Sequence, residues 1–206
     1  MRGRIVILNG APRSGKSSIA AALQNGFGEP WLNLGVDAFA RMTPARYLPG
    51  IGLRPGGERP DLEPAVQKLY AALYESIAAL ARQDLNVVAD VGHHDSYSKP
   101  LGILRECARR LKGLPVLFVG VRCPIGVILA RRAASVDHYV KASPGDPVPA
   151  PVQRWQDAVH AHGLYDLEVD TSTRSPQDCA DAIRAALAKP ENVPSAFQRL
   201  ARKNGR

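Results

Sequence analysis

Four apolar runs of strand length punctuate the chain, at residues 5–8, 87–89, 116–121 and 164–169, and each ends in small, acidic or turn-forming residues. The first three are nearly unbroken in Val, Ile, Leu and Phe rather than alternating with polar residues. That is the pattern of strands covered on both faces. Residues 31–36 make a weaker fifth run, closed by Asp37. Between the runs the spacing becomes helical. A helix is predicted from Ser17 to Leu23. Val66, Leu69, Tyr70, Leu73, Ile77, Leu80 and Ala81 predict a long one, with Asp61 as its N-cap. Ile103, Leu104, Cys107 and Leu111 predict another. Ser175-Pro176-Gln177-Asp178 reads as a start signal, with Ser as N-cap, Pro at the first helical position and Asp in the capping-box position. It leads into a helix over 179–188 that Lys189-Pro190 stops.

Strands alternating with helices predict an α/β fold of three layers, a parallel sheet with helices on both faces. Two segments break the rhythm. Residues 43–60 are rich in Pro, Gly and Arg, and 137–151 hold a cluster of prolines from Pro144 to Pro151. Loops of this length inside a compact domain are usually lids or disordered. No repeat or internal boundary is visible. One domain over 1–189, carrying both lid-like loops, is expected, followed by a basic tail over 190–206, where Phe197, Leu200 and Ala201 among Arg199, Arg202 and Lys203 fit one or two amphipathic helical turns or else a disordered segment.

Composition narrows the classes. The 206 residues are 45% apolar and 22% charged, an ordinary globular balance. No stretch approaches the roughly 18–20 apolar residues that span a bilayer, so no membrane partner is expected. The short run after Met1-Arg2-Gly3-Arg4 does not resemble a signal segment. Cys107, Cys123 and Cys179 are odd in number and widely spaced, which argues against a disulfide framework or a structural zinc site. A cytoplasmic location is the expectation. The net charge of +8 includes +3 from the tail. No recognised nucleic-acid motif accompanies it, and a pocket for a polyanion such as ATP creates the same excess. Self-association is left open.

Gly10-Ala11-Pro12-Arg13-Ser14-Gly15-Lys16-Ser17 fits G-x-x-x-x-G-K-[ST] and lies between a buried-strand pattern and a helix that begins Ser17-Ser18. The glycines let the backbone curl so that successive N–H groups face phosphate oxygens, and the helix dipole adds positive potential. Lys16 would reach the β- and γ-phosphates of ATP, while Ser17 would take a place on Mg²⁺. Asp90 closes Asn86-Val87-Val88-Ala89-Asp90, apolar residues ending in an acid at the edge where a metal would lie. The alternative for Asp90 is a carboxylate that satisfies turn amides. Asp37 ends the weaker run and suits a general base for a hydroxyl acceptor, or else an N-cap for the residues after it. His93-His94-Asp95 resembles a metal cluster, but adjacent side chains diverge and no further His or Cys stands at ligand spacing. Substrate contact and plain loop polarity are the other readings. Arg131 and Arg132 open into the Pro-rich loop, where lid arginines can close over a transferring phosphoryl group; Lys141 is a weaker candidate of the same kind.

These residues resemble the chloramphenicol phosphotransferase family of P-loop kinases. The matching stretches are Ile7-Leu8-Asn9-Gly10 into the phosphate loop, Glu29-Pro30-Trp31-Leu32 with Gly35-Val36-Asp37, Val119-Gly120-Val121-Arg122-Cys123, and Tyr165 to Thr171. The resemblance covers most of the chain to about residue 188. It implies ATP-dependent phosphorylation of a small-molecule hydroxyl, with Asp37 as base, Lys16 and Ser17 on ATP–Mg²⁺, and Asp90 near metal and acceptor. Segments 43–60 and 92–95, the lid after Arg132 and the basic tail depart from the family's pattern, and these are the acceptor-choosing regions. The rival readings are a kinase of another metabolite alcohol or nucleoside, and a regulatory P-loop NTPase without an acceptor. An N-K-x-D motif, which reads guanine in switches, is absent.

Overall fold

The unbroken apolar runs are the central strands of one parallel sheet. The computed structural model describes residues 2–134, 147–189 and 194–202. In chain order these form β1 (Ile5–Asn9), α1 (Lys16–Gly26), β2 (Trp31–Asn33), α2 (Val36–Met42), α3 (Glu63–Arg82), β3 (Asn86–Val91) and α4 (Ile103–Arg110). There follow β4 (Val116–Arg122), α5 (Ile125–Ala133), α6 (Ala150–Ala158), β5 (Leu167–Asp170), α7 (Pro176–Leu187) and α8 (Ala196–Arg202). The strands lie in the order β2-β3-β1-β4-β5 and every pairing is parallel.

Side chains of a strand alternate between faces, so each central strand feeds two cores. Ile5, Ile7, Val87, Ala89, Val116 and Phe118 meet Tyr70, Leu73, Tyr74 and Ile77 of α3, and Ile103 and Cys107 of α4. Val6, Leu8, Val88, Val119 and Val121 meet Ile19, Ala20 and Leu23 of α1, and Cys179, Ala180 and Ile183 of α7. Burial on both faces explains why these runs carry no polar alternation. The result is a three-layer α/β fold. β1 lies at the centre, and the chain passes from it first to the β2–β3 side and then to the β4–β5 side. The carboxyl edge beside β1 is therefore the topological switch point where such sheets bind ligands.

Several local expectations shift. The fifth run pairs only through Asn33, and Val36 already belongs to α2, so Asp37 stands in the first turn of a helix rather than at a strand end. The last strand begins at Leu167 instead of 164, because Asp166 turns its carboxylate onto the Phe118 amide and accepts from Ala196 as well. Asp61 does not cap α3; Leu62 holds that position, and Asp61 takes a bidentate pair from Arg59 at 2.8–2.9 Å. Ser175 forms the full capping box with Asp178.

The segment 43–60 is laid against the core rather than standing off it. It makes two short 3-10 turns, at Ala45–Tyr47 and Gly50–Gly52, and buries Ile51 and Leu53. Most of the second expected lid, 137–151 with Lys141, lies outside the described residues, as do 190–193 and 203–206 of the expected tail. Over 194–202 the tail is no appendage. It forms α8, which buries Ala196, Phe197 and Leu200, and Phe197 packs on Phe118 at 4.8 Å and on Tyr74 at 6.2 Å between ring centroids.

Replacing Phe197 with Ala should cost about 3–5 kcal/mol in urea denaturation, since it empties a site between two buried rings. Arg202→Ala, on the exposed side of the same helix, should stay within about 0.5 kcal/mol. Equal small effects would mean that α8 contributes nothing to the core.

Candidate active site

The turn after β1 is wound by two left-handed residues, Arg13 (φ 71°) and Gly15 (φ 96°). Left-handed positions in a tight turn swing backbone amides to one side and carbonyls to the other. On the carbonyl side four oxygens are matched. Lys16 Nζ donates to Gly10 O at 2.9 Å and Ala11 O at 3.0 Å. Arg131 donates to Arg13 O at 3.2 Å, and Thr171 Oγ1 donates to Ser14 O at 2.7 Å. On the other side lie the first amides of α1, which have no intrahelical acceptor. Asn9 ties the loop's entrance to its surroundings. Its Nδ2 donates to Val159 O at 2.9 Å and to Tyr165 Oη at 2.8 Å, and its Oδ1 accepts from the His93 amide at 2.6 Å.

Beside the loop, Ser17 Oγ donates to Asp90 Oδ2 at 2.8 Å. Asp90 sits near the end of β3 in register with Leu8 and is 8% exposed. Asp37 reaches the same place from α2, because the chain crosses directly over Asp90 at Gly35. A Cβ on Gly35 would lie 1.8 Å from Asp90 Oδ1, so only glycine fits. The acidic side chain in the first turn also suits the positive end of α2. Lys16 feels the charge of both carboxylates. Withdrawal of its ammonium from water lowers its pKa to about 8, against the pull of Asp90 and Asp37 in the opposite direction.

The loop and both carboxylates line one cavity of about 840 Å³ at the carboxyl edge of the sheet. Of the residues expected at the site, Gly10, Pro12, Arg13, Gly15, Lys16, Ser17, Ser18, Asp37, Asp90, Arg131 and Arg132 line it. Ala11 and Ser14 are buried behind the loop. The two arginines are not on a free lid. Both belong to α5, where Arg132 is 5% exposed and Arg131 is spent on the back of the loop, with Thr171 Oγ1 at 3.1 Å and Thr171 O at 2.7 Å. Sequence reasoning gave no role to Val36, Ile51, Arg54, Trp155 or Arg174, which complete the wall. Only the composition of 43–60, Arg54 included, hinted at them.

Among the described residues the His93-His94 pair joins no metal-binding cluster, and neither histidine lines the cavity. His93 stacks on Tyr70 and its Nε2 is hydrogen-bonded to Tyr74 Oη at 2.7 Å; burial drops its pKa to about 3. His94 Nε2 bonds Leu53 O at 3.0 Å, and Asp95 accepts from the Leu101 and Gly102 amides.

A family model of the chloramphenicol phosphotransferase-like proteins matches residues 3–188. The chain belongs to this family. Among curated relatives, a Mycobacterium tuberculosis protein named "Putative O-phosphotransferase" is 27% identical over 213 residues, covering 96% of this chain and 88% of that one. Solved structures share the fold at lower identity. The Mycobacterium tuberculosis APS kinase is 18% identical with a TM-score of 0.57, over 91% of this chain and 99% of that one. Shikimate kinase from Acinetobacter baumannii is 16% identical with a TM-score of 0.53, over 88% and 91%. As a chloramphenicol phosphotransferase-like protein the chain is a small-molecule phosphotransferase of the P-loop kinase fold. Among the described residues no helix is long and apolar enough to cross a membrane.

Gly35→Ala should lower stability by about 1–3 kcal/mol, because the added methyl forces α2 off Asp90. Gly28→Ala, whose Cβ meets nothing within 4 Å, is the control and should be near neutral. Thermal and urea melts of the two variants decide it; an unchanged Gly35→Ala would mean that the α2–β3 contact is slack.

Proposed function

We propose that the chain transfers the γ-phosphoryl group of ATP to a hydroxyl of a small molecule, with Mg²⁺ as its metal. The observation that carries this reading is the meeting of Lys16, Ser17, Asp37 and Asp90 on one cavity wall. The donor set suits both groups. A hydroxyl and a carboxylate are hard oxygen ligands of the kind Mg²⁺ takes alongside phosphate oxygens. Ser14 Oγ, buried inside the turn, has no hydrogen-bond partner among the described residues. The structure of the APS kinase neighbour is of a complex with AMPPNP and APS, which favours an adenine nucleotide donor. Three buried cysteines without a disulfide accord with a cytoplasmic setting.

In this reading the loop amides and Lys16 hold the phosphates, Lys16 leaving the carbonyls of Gly10 and Ala11 to do so. Ser17 and Asp90 would hold the metal, which would supply charge neutralisation to the phosphates. Arg131 keeps the loop in shape from behind, and Arg132, on the same cavity wall, adds positive charge. The acceptor enters between α2 and β3. Asp37 orients its hydroxyl and takes the proton as the oxygen bonds to phosphorus and the bond to the ADP oxygen breaks. The acceptor is a small alcohol, chloramphenicol or another metabolite.

Asp37→Asn should reduce acceptor-dependent ADP release about 10²–10⁴-fold while leaving Mg-ADP affinity nearly unchanged. Near-normal turnover in Asp37→Asn would move the base to Asp90. Wild-type protein that binds neither Mg-ATP nor Mg-ADP in calorimetry would remove the whole reading.

A second test uses Lys16. In the free protein it loses its proton near pH 8, whereas a bound polyphosphate keeps it charged. Below that pH binding takes up no proton; above it binding must. Mg-ADP affinity should therefore be flat from pH 6.5 to 7.5 and fall about tenfold between pH 8 and 9.5. Lys16→Arg, always charged, should bind without that fall. A flat wild-type profile would mean that Lys16 does not meet the phosphates.

A further inference from the structure

The cavity has two sides, set by the order of the strands. Thr171, Arg174 and Arg131 come from the β4–β5 side, and Asp37, Ile51 and Arg54 from the β2–β3 side. The Ser17–Asp90 bond lies at the boundary. A nucleotide whose phosphates lie in the loop turns its γ end toward Asp90, so the β2–β3 side is left to the acceptor.

On that side the exposed cation is Arg54. Its backbone is fixed. Leu53 and Pro55 on either side are buried, the Leu53 carbonyl is bound by His94, and the Gly56 amide donates to Ser96 O at 2.7 Å. Its side chain is exposed on the cavity wall and makes no hydrogen bond or ion pair with any described residue. A charge on a fixed mount with no partner among the described residues is placed to meet a ligand, and a guanidinium fork matches the planar or tripodal oxygens of an anion. The total charge points the same way. Six cationic side chains line the cavity (Arg13, Lys16, Arg54, Arg131, Arg132 and Arg174) against two carboxylates. Mg-ATP carries a net charge of about −2 at neutral pH, so it leaves positive charge over among the described residues.

We propose that the acceptor is an anionic alcohol, a small hydroxy compound bearing a carboxylate, sulfate or phosphate, with Arg54 as the residue that binds its anionic group. This rests on the kinase reading, and it narrows the acceptor from any alcohol to one with a negative group within reach of the hydroxyl that faces Asp37. Val36, Ile51 and Trp155 line the same cavity, so the remainder of the molecule is compact and partly apolar.

The test uses wild-type protein and Arg54→Gln, each saturated with Mg-AMPPNP at constant ionic strength. Glycerate, glycerol 3-phosphate, inorganic sulfate and uncharged glycerol are added separately, and melting temperature is followed with concentration. At least one anion should raise the melting temperature of the wild-type complex where glycerol does not. Arg54→Gln should weaken that response about tenfold, with Arg54→Lys in between. The anion that acts tells carboxylate from phosphate from sulfate. Glycerol acting as well as the anions, no response to any anion, or an unchanged response in Arg54→Gln would each overturn the proposal and leave the kinase reading intact. Loss of Mg-AMPPNP binding in Arg54→Gln would overturn it too, by assigning Arg54 to the nucleotide. Failure of wild type to bind Mg-AMPPNP would instead remove the kinase reading on which the proposal stands.

Discussion

A loop that gathers amides on one side must leave carbonyls on the other, and in a partly buried turn those carbonyls need donors. Here Gly10, Ala11, Arg13 and Ser14 are served by Lys16, Arg131 and Thr171. The donors come from the loop's own helix, from α5 and from the end of β5, so the shape of the turn depends on both sides of the sheet being in place. Asn9 extends the same constraint to β3 and to the turn after α6, through His93, Val159 and Tyr165. A site built this way is stiff before any ligand arrives, which is where the advantage of oriented dipoles over water originates.

On the proposed reading, Lys16 is the one donor in that set that must let go. Its bonds to Gly10 and Ala11 hold a half-buried ammonium that would otherwise lack acceptors, and its depressed pKa reflects that incomplete solvation. A polyphosphate offers stronger, charged acceptors. The exchange then favours binding, and the loop carbonyls are the groups that lose a partner. Arg131 does not face this choice. With Arg13 O and both Thr171 oxygens bound, its strength goes into holding the loop. An arginine next to a lid in sequence is thus a positioning group, and its neighbour Arg132, also on α5, is set into the cavity wall.

What could be read along the chain follows from the range of the interactions. The turn after β1, the α/β rhythm, the capping box at Ser175 and the placement of Asp90 near the end of β3 are decided within a few residues, and each stands where the pattern puts it. Asp37 was legible as a residue and not as a position, because the turn into α2 is set by Gly35 passing over Asp90, a contact across 55 residues of chain. The burial of the 43–60 segment and of α8 was hidden for the same reason. Their apolar side chains are few (Ile51 and Leu53 in one, Phe197 and Leu200 in the other), so local periodicity is faint, yet each finds a ready surface on the core. His93 and His94 misled in the opposite direction. Two adjacent histidines in a loop suggest chemistry, but their partners Tyr70, Tyr74 and Leu53 come from elsewhere and make them part of the packing.

The same difference in range separates the two halves of the cavity. The half that the proposed reading gives to the nucleotide is made of a contiguous stretch plus anchors, so it can be recognised from a motif. The half that it gives to the acceptor is assembled from α2, the 43–60 segment, the end of β3 and Trp155 of α6, none of which specifies the others locally. Substitutions there alter which molecule fits without disturbing the carbonyl–donor set behind the loop, because no residue of that set belongs to it. Lys16 and Asp90 lie where the halves meet. The first holds the loop and feels Asp37; the second bonds Ser17 and lies under Gly35. A shift of α2 against β3 therefore reaches the phosphate side through Asp90, while a change at Arg54, carried on a separately fixed loop, does not. That separation lets one fold keep its phosphoryl chemistry while its acceptor changes.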